Sequence, residues 1–255
     1  MSEEPYNPGA FDAKRAAQAN MRRPEIKRFY KEASIAEVEG GYALRLDGRA
    51  AHTPRRRPIV APTRPVAELI AAEWAGQGPV IDPNAMPATR LVHSALDGVA
   101  DALAETRAEI VRYAGSDLVC YRASEPAELI SWQARAYDPV LDWASEVLGA
   151  RFAVAEGVMF VEQPRGAIEA FEAALARHDG PLALAALSSL TSLSGSALMA
   201  LMVARGALAP DEAWRAAHVD EDFQILKWGE DEEAAERRRA RGQEFETAAR
   251  IALSV

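Results

Sequence analysis

Residues 181–204 read PLALAALSSLTSLSGSALMALMVA and carry no charged side chain. The stretch is long enough to cross a bilayer as one helix. Its centre argues otherwise. Ser188-Ser189-Leu190-Thr191-Ser192-Leu193-Ser194-Gly195-Ser196 places hydroxyls and a glycine where a span would be most apolar. Glycine ends helices and serine begins them, so the segment predicts two buried helices with a break near Gly195. It also lacks interfacial aromatic belts and a cationic flank at Pro181.

Working outward, the chain beyond residue 85 keeps a helical period. Residues 88–114 carry one long amphipathic pattern. Residues 126–148 carry another, with Trp132, Trp143 and a kink or break at Pro139. Arg151–Val161 reads as a short hairpin about Gly157. Residues 165–178, 210–227 and 230–253 read as further helices, the last acidic first and basic later, the order a helix dipole favours. N-terminal to these, the period becomes two. A strand-like stretch runs from Phe29-Tyr30-Lys31 to Val38, Glu39-Gly40-Gly41 is a turn, and Tyr42, Leu44 and Leu46 alternate with small or polar residues. Asp47-Gly48 is a second turn before Ala50–Thr53. Val66, Leu69, Ile70 and Trp74 share one face of a short helix ending near Gly76, and residues 79–87 read as a proline-rich linker. The expected organisation is α+β: an arm over 1–25, a small β-rich domain with a short helix over 26–84, and a larger all-helical domain over 85–255.

The 255 residues suffice for a core without staples, and the single Cys120 permits no internal disulfide. The net charge is -9, unevenly distributed: residues 1–64 hold 13 Lys/Arg against 8 Asp/Glu, and residues 65–255 hold 16 against 30. Such acidity argues against nucleic acid as the main partner. Met1-Ser2-Glu3-Glu4-Pro5 reads as neither a secretory signal nor a transit peptide, which predicts a bacterial cytoplasmic protein.

Motifs for chemistry are sparse. None of the lysines follows a glycine as a P-loop requires, and GxGxxG and Gly-x-Ser-x-Gly patterns are missing. His52, His93, His178 and His218 form no metal-ligand spacing. His93 lies four residues before Asp97 and His218 four before Asp222, so either pair could be a base and its orienter, or a surface hydrogen bond. Arg55-Arg56-Arg57 could bind a polyanion or form a solvated turn. The acidic stretch Asp220–Glu233 encloses Phe223, Ile225, Leu226 and Trp228. It reads either as an amphipathic helix with a core-facing aromatic stripe or as a docking surface with acids that steer a basic partner.

An ordered series of short motifs goes further. It runs Arg28-Phe29-Tyr30-Lys31, Leu46-Asp47-Gly48-Arg49 with Thr53-Pro54, Glu73-Trp74-x-x-Gln77, and Met86-Pro87-x-Thr89 with Ala95-Leu96-Asp97. It continues through Asp117-Leu118-x-Cys120-Tyr121-Arg122-Ala123, Gln133 with Pro139, Leu141 and Trp143, Leu190-Thr191 with Gly195-Ser196, and Glu221-x-Phe223-Gln224 with Trp228-Gly229. In this the sequence resembles the assembly chaperones for the alpha subunit of F-type ATP synthase. The resemblance implies a small β-rich domain followed by a helical one. It implies binding of the free alpha subunit until the beta subunit takes over, with no catalytic residue, cofactor or small-molecule substrate. The partner-binding candidates are Glu221, Phe223, Gln224, Trp228 and Asp231, with Glu73, Trp74 and Gln77 second; Trp74 shares its face with Leu69 and Ile70.

Overall fold

A computed structural model describes residues 26–157 and 159–255. The arm expected over residues 1–25 lies outside the described residues. The rest is an α+β protein with a small strand region before a helical body.

The strand region grows from one hairpin. β2 (Ala33–Val38) pairs antiparallel with β3 (Gly41–Leu46), in register from Ala33 opposite Leu46 to Val38 opposite Gly41. Gly41 has φ +144°, and a Cβ there would sit 2.1 Å from the Ala61 carbonyl oxygen. Only glycine lets β5 (Val60–Ala61) close onto β3. Asp47 and Gly48 both have positive φ, which suits the two-residue turn from β3 to β4 (Arg49–Ala50). The strand begins at Ala33 and not at Phe29. Residues 29 and 30 are instead drawn into an aromatic cluster, with the Tyr30 ring 5.3 Å from Phe29 and 5.4 Å from Trp74. Trp74 belongs to α1 (Arg64–Ala75), which has proline in its first turn and buries Val66, Ala67 and Ile70.

Residues 79–87 are more than a linker. β6 (Val80–Ile81) pairs antiparallel with β1 (Ile26–Lys27), and Asp82 caps a 3-10 turn over Pro83–Ala85. The single amphipathic pattern over 88–114 folds as α2 (Pro87–Asp97) and α3 (Leu103–Ala114), broken at Gly98. At the break, Asp97 is held from across the fold: its carboxylate accepts the Thr53 hydroxyl at 2.6 Å and the Arg55 N–H at 3.1 Å. Arg57 donates to the Leu96 carbonyl and pairs with Asp101 at 2.6 Å. The arginine run is therefore largely taken up in fastening the strand region to the helices.

α4 (Ala127–Leu148) passes through Pro139 without ending. Among the described residues no strands pair across Gly157, where the sequence predicts a hairpin. β8 (Ala155–Glu156) pairs parallel with the distant β7 (Tyr121–Arg122), and the buried Gln163 amide clamps Ala153 from both backbone sides, at 2.8 and 3.0 Å. α5 spans Arg165–Leu175.

The uncharged segment folds as its centre predicts. α6 (Pro181–Ser194) stops at Gly195, φ +73°, and α7 (Ala197–Ala204) starts from Ser196, whose hydroxyl accepts the Met199 N–H at 3.0 Å. Every residue from Ala197 to Val203 is buried, and α6 packs on α2, α3, α7 and α10 (Glu232–Ala252), so α7 has no wet face to charge and α6 only a narrow one, filled by Ser188, Ser189 and Ser192. No helix among the described residues is long and apolar enough to cross a membrane. Asp117 locks the joint. Fully buried, it accepts the Leu198 N–H at 3.0 Å and the Val119 N–H at 3.2 Å. Burial pushes its carboxyl up to about 6, against the pull of the Ser196 hydroxyl and these backbone donors.

The helix expected over 210–227 is two: α8 (Pro210–Ala217) and α9 (Val219–Trp228). His218 makes the break. Its ring lies 3.8 Å from that of Trp214, and its Nδ1 pairs with the Trp214 carbonyl at 2.8 Å, competing with the helical ladder.

Candidate docking surface

α9 has two faces with opposite roles. The inner face is fastened to α4. Phe223 is 5% exposed and meets the Trp132 ring edge-on at 5.5 Å. The Gln133 amide donates to Asp220 at 2.7 Å, and Lys227 pairs with Glu128 at 2.6 Å while its ammonium lies 5.1 Å from the Phe223 ring. The outer side leaves the Trp228 indole in water, 80% exposed; Leu226, 61% exposed, lies two residues earlier and on the other flank of the helix.

The outer face borders a shallow groove of about 260 Å³ against the start of α10, lined by Glu221, Gln224, Ile225 and Trp228 on one side and Ala234 and Arg238 on the other. Gly229, φ +89°, turns the chain between the helices. Asp231 then caps α10, its carboxylate accepting the Ala234 N–H at 2.8 Å. Arg238 reaches back to α9, pairing with Asp222 at 2.6 Å and more loosely with Glu221 at 3.7 Å. Its side chain is only 19% exposed, so it neutralises part of the acidic run from beneath. Sequence reading missed it because it lies beyond the acidic run, on the next helix. The only hint was the basic second half of α10.

Glu73, Trp74 and Gln77 lie elsewhere, on and just after α1, which packs on the hairpin and α2. The Glu73 carboxylate accepts the Ala88 N–H at 2.6 Å and the Thr89 N–H and hydroxyl at 2.7 Å, capping α2. The Trp74 carbonyl accepts the Tyr30 hydroxyl at 2.6 Å. Gln77, buried, accepts the Asp82 N–H at 2.7 Å and donates to the Glu73 carbonyl at 3.2 Å. α1 packs with the strand region and α9 on α4, so the two candidate sets occupy different parts of the fold.

The catalytic alternatives find no convergent geometry. Asp97 is engaged by Thr53 and Arg55, and desolvation holds the His93 imidazole below its usual pKa. His218 is bonded to Trp214, and Asp222 is paired with Arg238. Burial pushes the Cys120 thiol up to about 12, far from a reactive thiolate. Among the described residues no cluster of His, Cys, Asp and Glu could hold a metal.

Comparison with known proteins gives this surface its context. Residues 27–145 match the family described as ATP12 chaperone protein. The crystal structure of the Atu1473 protein from Agrobacterium tumefaciens is 48% identical, with TM-score 0.88 over 93% of this chain and 89% of that one. That of Atp12 from Paracoccus denitrificans is 37% identical, with TM-score 0.83 over 90% of this chain and 98% of that one. The mitochondrial atp12 protein of Schizosaccharomyces pombe is 22% identical over 233 residues, 86% of this chain and 79% of its own. The chain belongs to the ATP12 chaperone family, the ATP synthase assembly chaperones whose motifs its sequence resembles.

Proposed function

We propose that this protein holds the free alpha subunit of the F-type ATP synthase head, shielding its unpaired interface from aggregation until the beta subunit displaces it. It does so without chemistry, in the bacterial cytoplasm, through the α9–α10 surface. The observation that carries the reading is Trp228, an almost fully exposed indole beside acids in a family of assembly chaperones. Aromatic residues in the middle of an interface supply most of its energy, and surrounding charge sets the encounter rate. Trp228, Gln224, Glu221 and Asp231 are the contacts, and Phe223 holds α9 in place from behind. Glu73, Trp74 and Gln77 are a secondary set, acting chiefly by fixing the strand region on the helices. Because the face is part apolar and part acidic, its affinity is moderate, and mass action with the true neighbour removes it.

Co-expression with the alpha and beta subunits separately, followed by pull-down, tests the reading. Nucleotide-independent capture of free alpha, and not of beta, is expected. Failure to capture or solubilise alpha sinks it. The polyanion alternative gains no support, because Arg55 and Arg57 are bonded to Asp97, Leu96 and Asp101.

A further inference from the structure

A second groove, about 510 Å³, runs between α4 and the α8–α9 pair. Its floor is apolar: Trp132, Val140, Met202 and Leu208. Its rims carry both signs, Arg135 and Arg215 with Glu212 and Asp222. Arg135 and Glu212 form no ion pair among the described residues, while Arg215 pairs with Asp211 one turn away at 3.1 Å. The groove adjoins the α9–α10 surface: Asp222 on its rim pairs at 2.6 Å with Arg238, which lines the groove beside Trp228.

We propose that this groove receives an amphipathic helix of the client subunit, extending the contact made by Trp228; the proposal rests on the docking role assigned to α9. Three features select a helix. The groove walls are helices, whose main-chain groups are already paired within each ladder. An extended segment laid there would bury unpaired N–H and C=O groups, because no sheet edge is present to receive it. A helix arrives with its backbone satisfied and offers an apolar stripe to the floor. The mixed rims fit the charged flanks of such a helix, where opposite charges recur at i and i+4. Met202 lends the floor an adaptable surface.

The test places a photoreactive benzoylphenylalanine at Arg215 in one full-length variant and at Gln224 in another, each co-expressed with the alpha subunit and irradiated. Both positions are expected to crosslink, with the Arg215-site adduct mapping to a helix of alpha. Independently, Ala216→Trp fills the groove and is expected to weaken capture at least tenfold while the unfolding midpoint stays within a few degrees. Crosslinking from the Gln224 site alone, with A216W capturing normally, overturns the groove and leaves the α9 surface standing. Crosslinking from neither site overturns both. An adduct on an extended segment of alpha overturns the helix. If A216W fails to fold, the paired crosslinks decide.

Discussion

Glu73, Trp74 and Gln77, on and just after α1, and Glu221, Gln224 and Trp228 on α9 are the same three residue types, and the molecule uses them in opposite ways. On α1 the carboxylate caps a neighbouring helix, the indole lies against Tyr30, and the amide holds the following loop. On α9 the carboxylate is loosely paired, the amide is exposed, and the indole stands in water. The difference is environment. α1 lies between the hairpin and α2 and meets partners on several sides, while α9 is held on its inner face and, among the described residues, is met on the other only at its edge by the start of α10. Identical chemistry becomes fold on one helix and available surface on the other.

The contrast breaks if Glu73 proves dispensable for folding. Removing its carboxylate leaves two backbone donors and the Thr89 hydroxyl without an acceptor at the start of α2. Glu73→Ala should cost about 4 kcal/mol in chemical denaturation, since three charge-assisted bonds vanish together. The folded fraction should still capture alpha with near-native affinity. Normal stability with lost capture would move α1 into the interface.

Asp117 sharpens the inward half of the comparison through pH. In the unfolded chain its carboxyl ionises near pH 4; folded, burial raises it to about 6. The folded state therefore binds the extra proton between those values. Stability falls as pH rises from about 4 to about 6, by about 3 kcal/mol, and the deficit persists above. Asp117→Asn lacks this titration. The stability difference between the two proteins should change by about that amount between pH 4 and pH 6.5. A constant difference would show that Asp117 ionises normally in place.

Trp228→Ala should do the reverse of Glu73→Ala. With 80% of the residue already exposed, truncation should change stability by less than about 0.5 kcal/mol. Capture of alpha should weaken by about 30-fold, the loss of a central aromatic anchor. Titration calorimetry or a surface-binding assay against purified alpha reads it. Unchanged affinity would leave the exposed indole without a role in docking.

What could be read from sequence follows the range of the interactions. Gly195-Ser196 places a left-handed helix stop directly before an N-cap, so the α6–α7 joint was legible from two adjacent residues. The hairpin and the Asp47-Gly48 turn were legible for the same reason. The break at His218 was not. No Gly or Pro marks it, and it depends on a ring stacking on Trp214 and bonding to its carbonyl. Nor was the parallel pairing of β8 with β7, a contact across more than thirty residues that Gly157 disguises as a local turn. At the candidate docking surface the acids and aromatics were visible. Which aromatic faced inward was not, because Phe223 and Trp228 both fit an amphipathic stripe until α4 supplies Trp132 to one of them.

The smallest effect concerns the acids. Asp231 and Glu221 are poor probes of steering: reversing the first removes the α10 cap, and reversing the second sets a lysine against Arg238. Glu230 is exposed, adjacent to both, and without an ion pair among the described residues. Glu230→Lys should slow association with alpha about three-fold at low ionic strength, and the effect should fade as salt screens it. Glu105→Lys, on the exposed side of α3, makes the same change to the net charge of -9 at a distance from the surface. If the two variants slow association equally, the field of the whole molecule guides the encounter and the acids beside Trp228 have no special part. If only Glu230→Lys does, the steering is local, and the outward face of α9 works as an electrostatic unit with its indole.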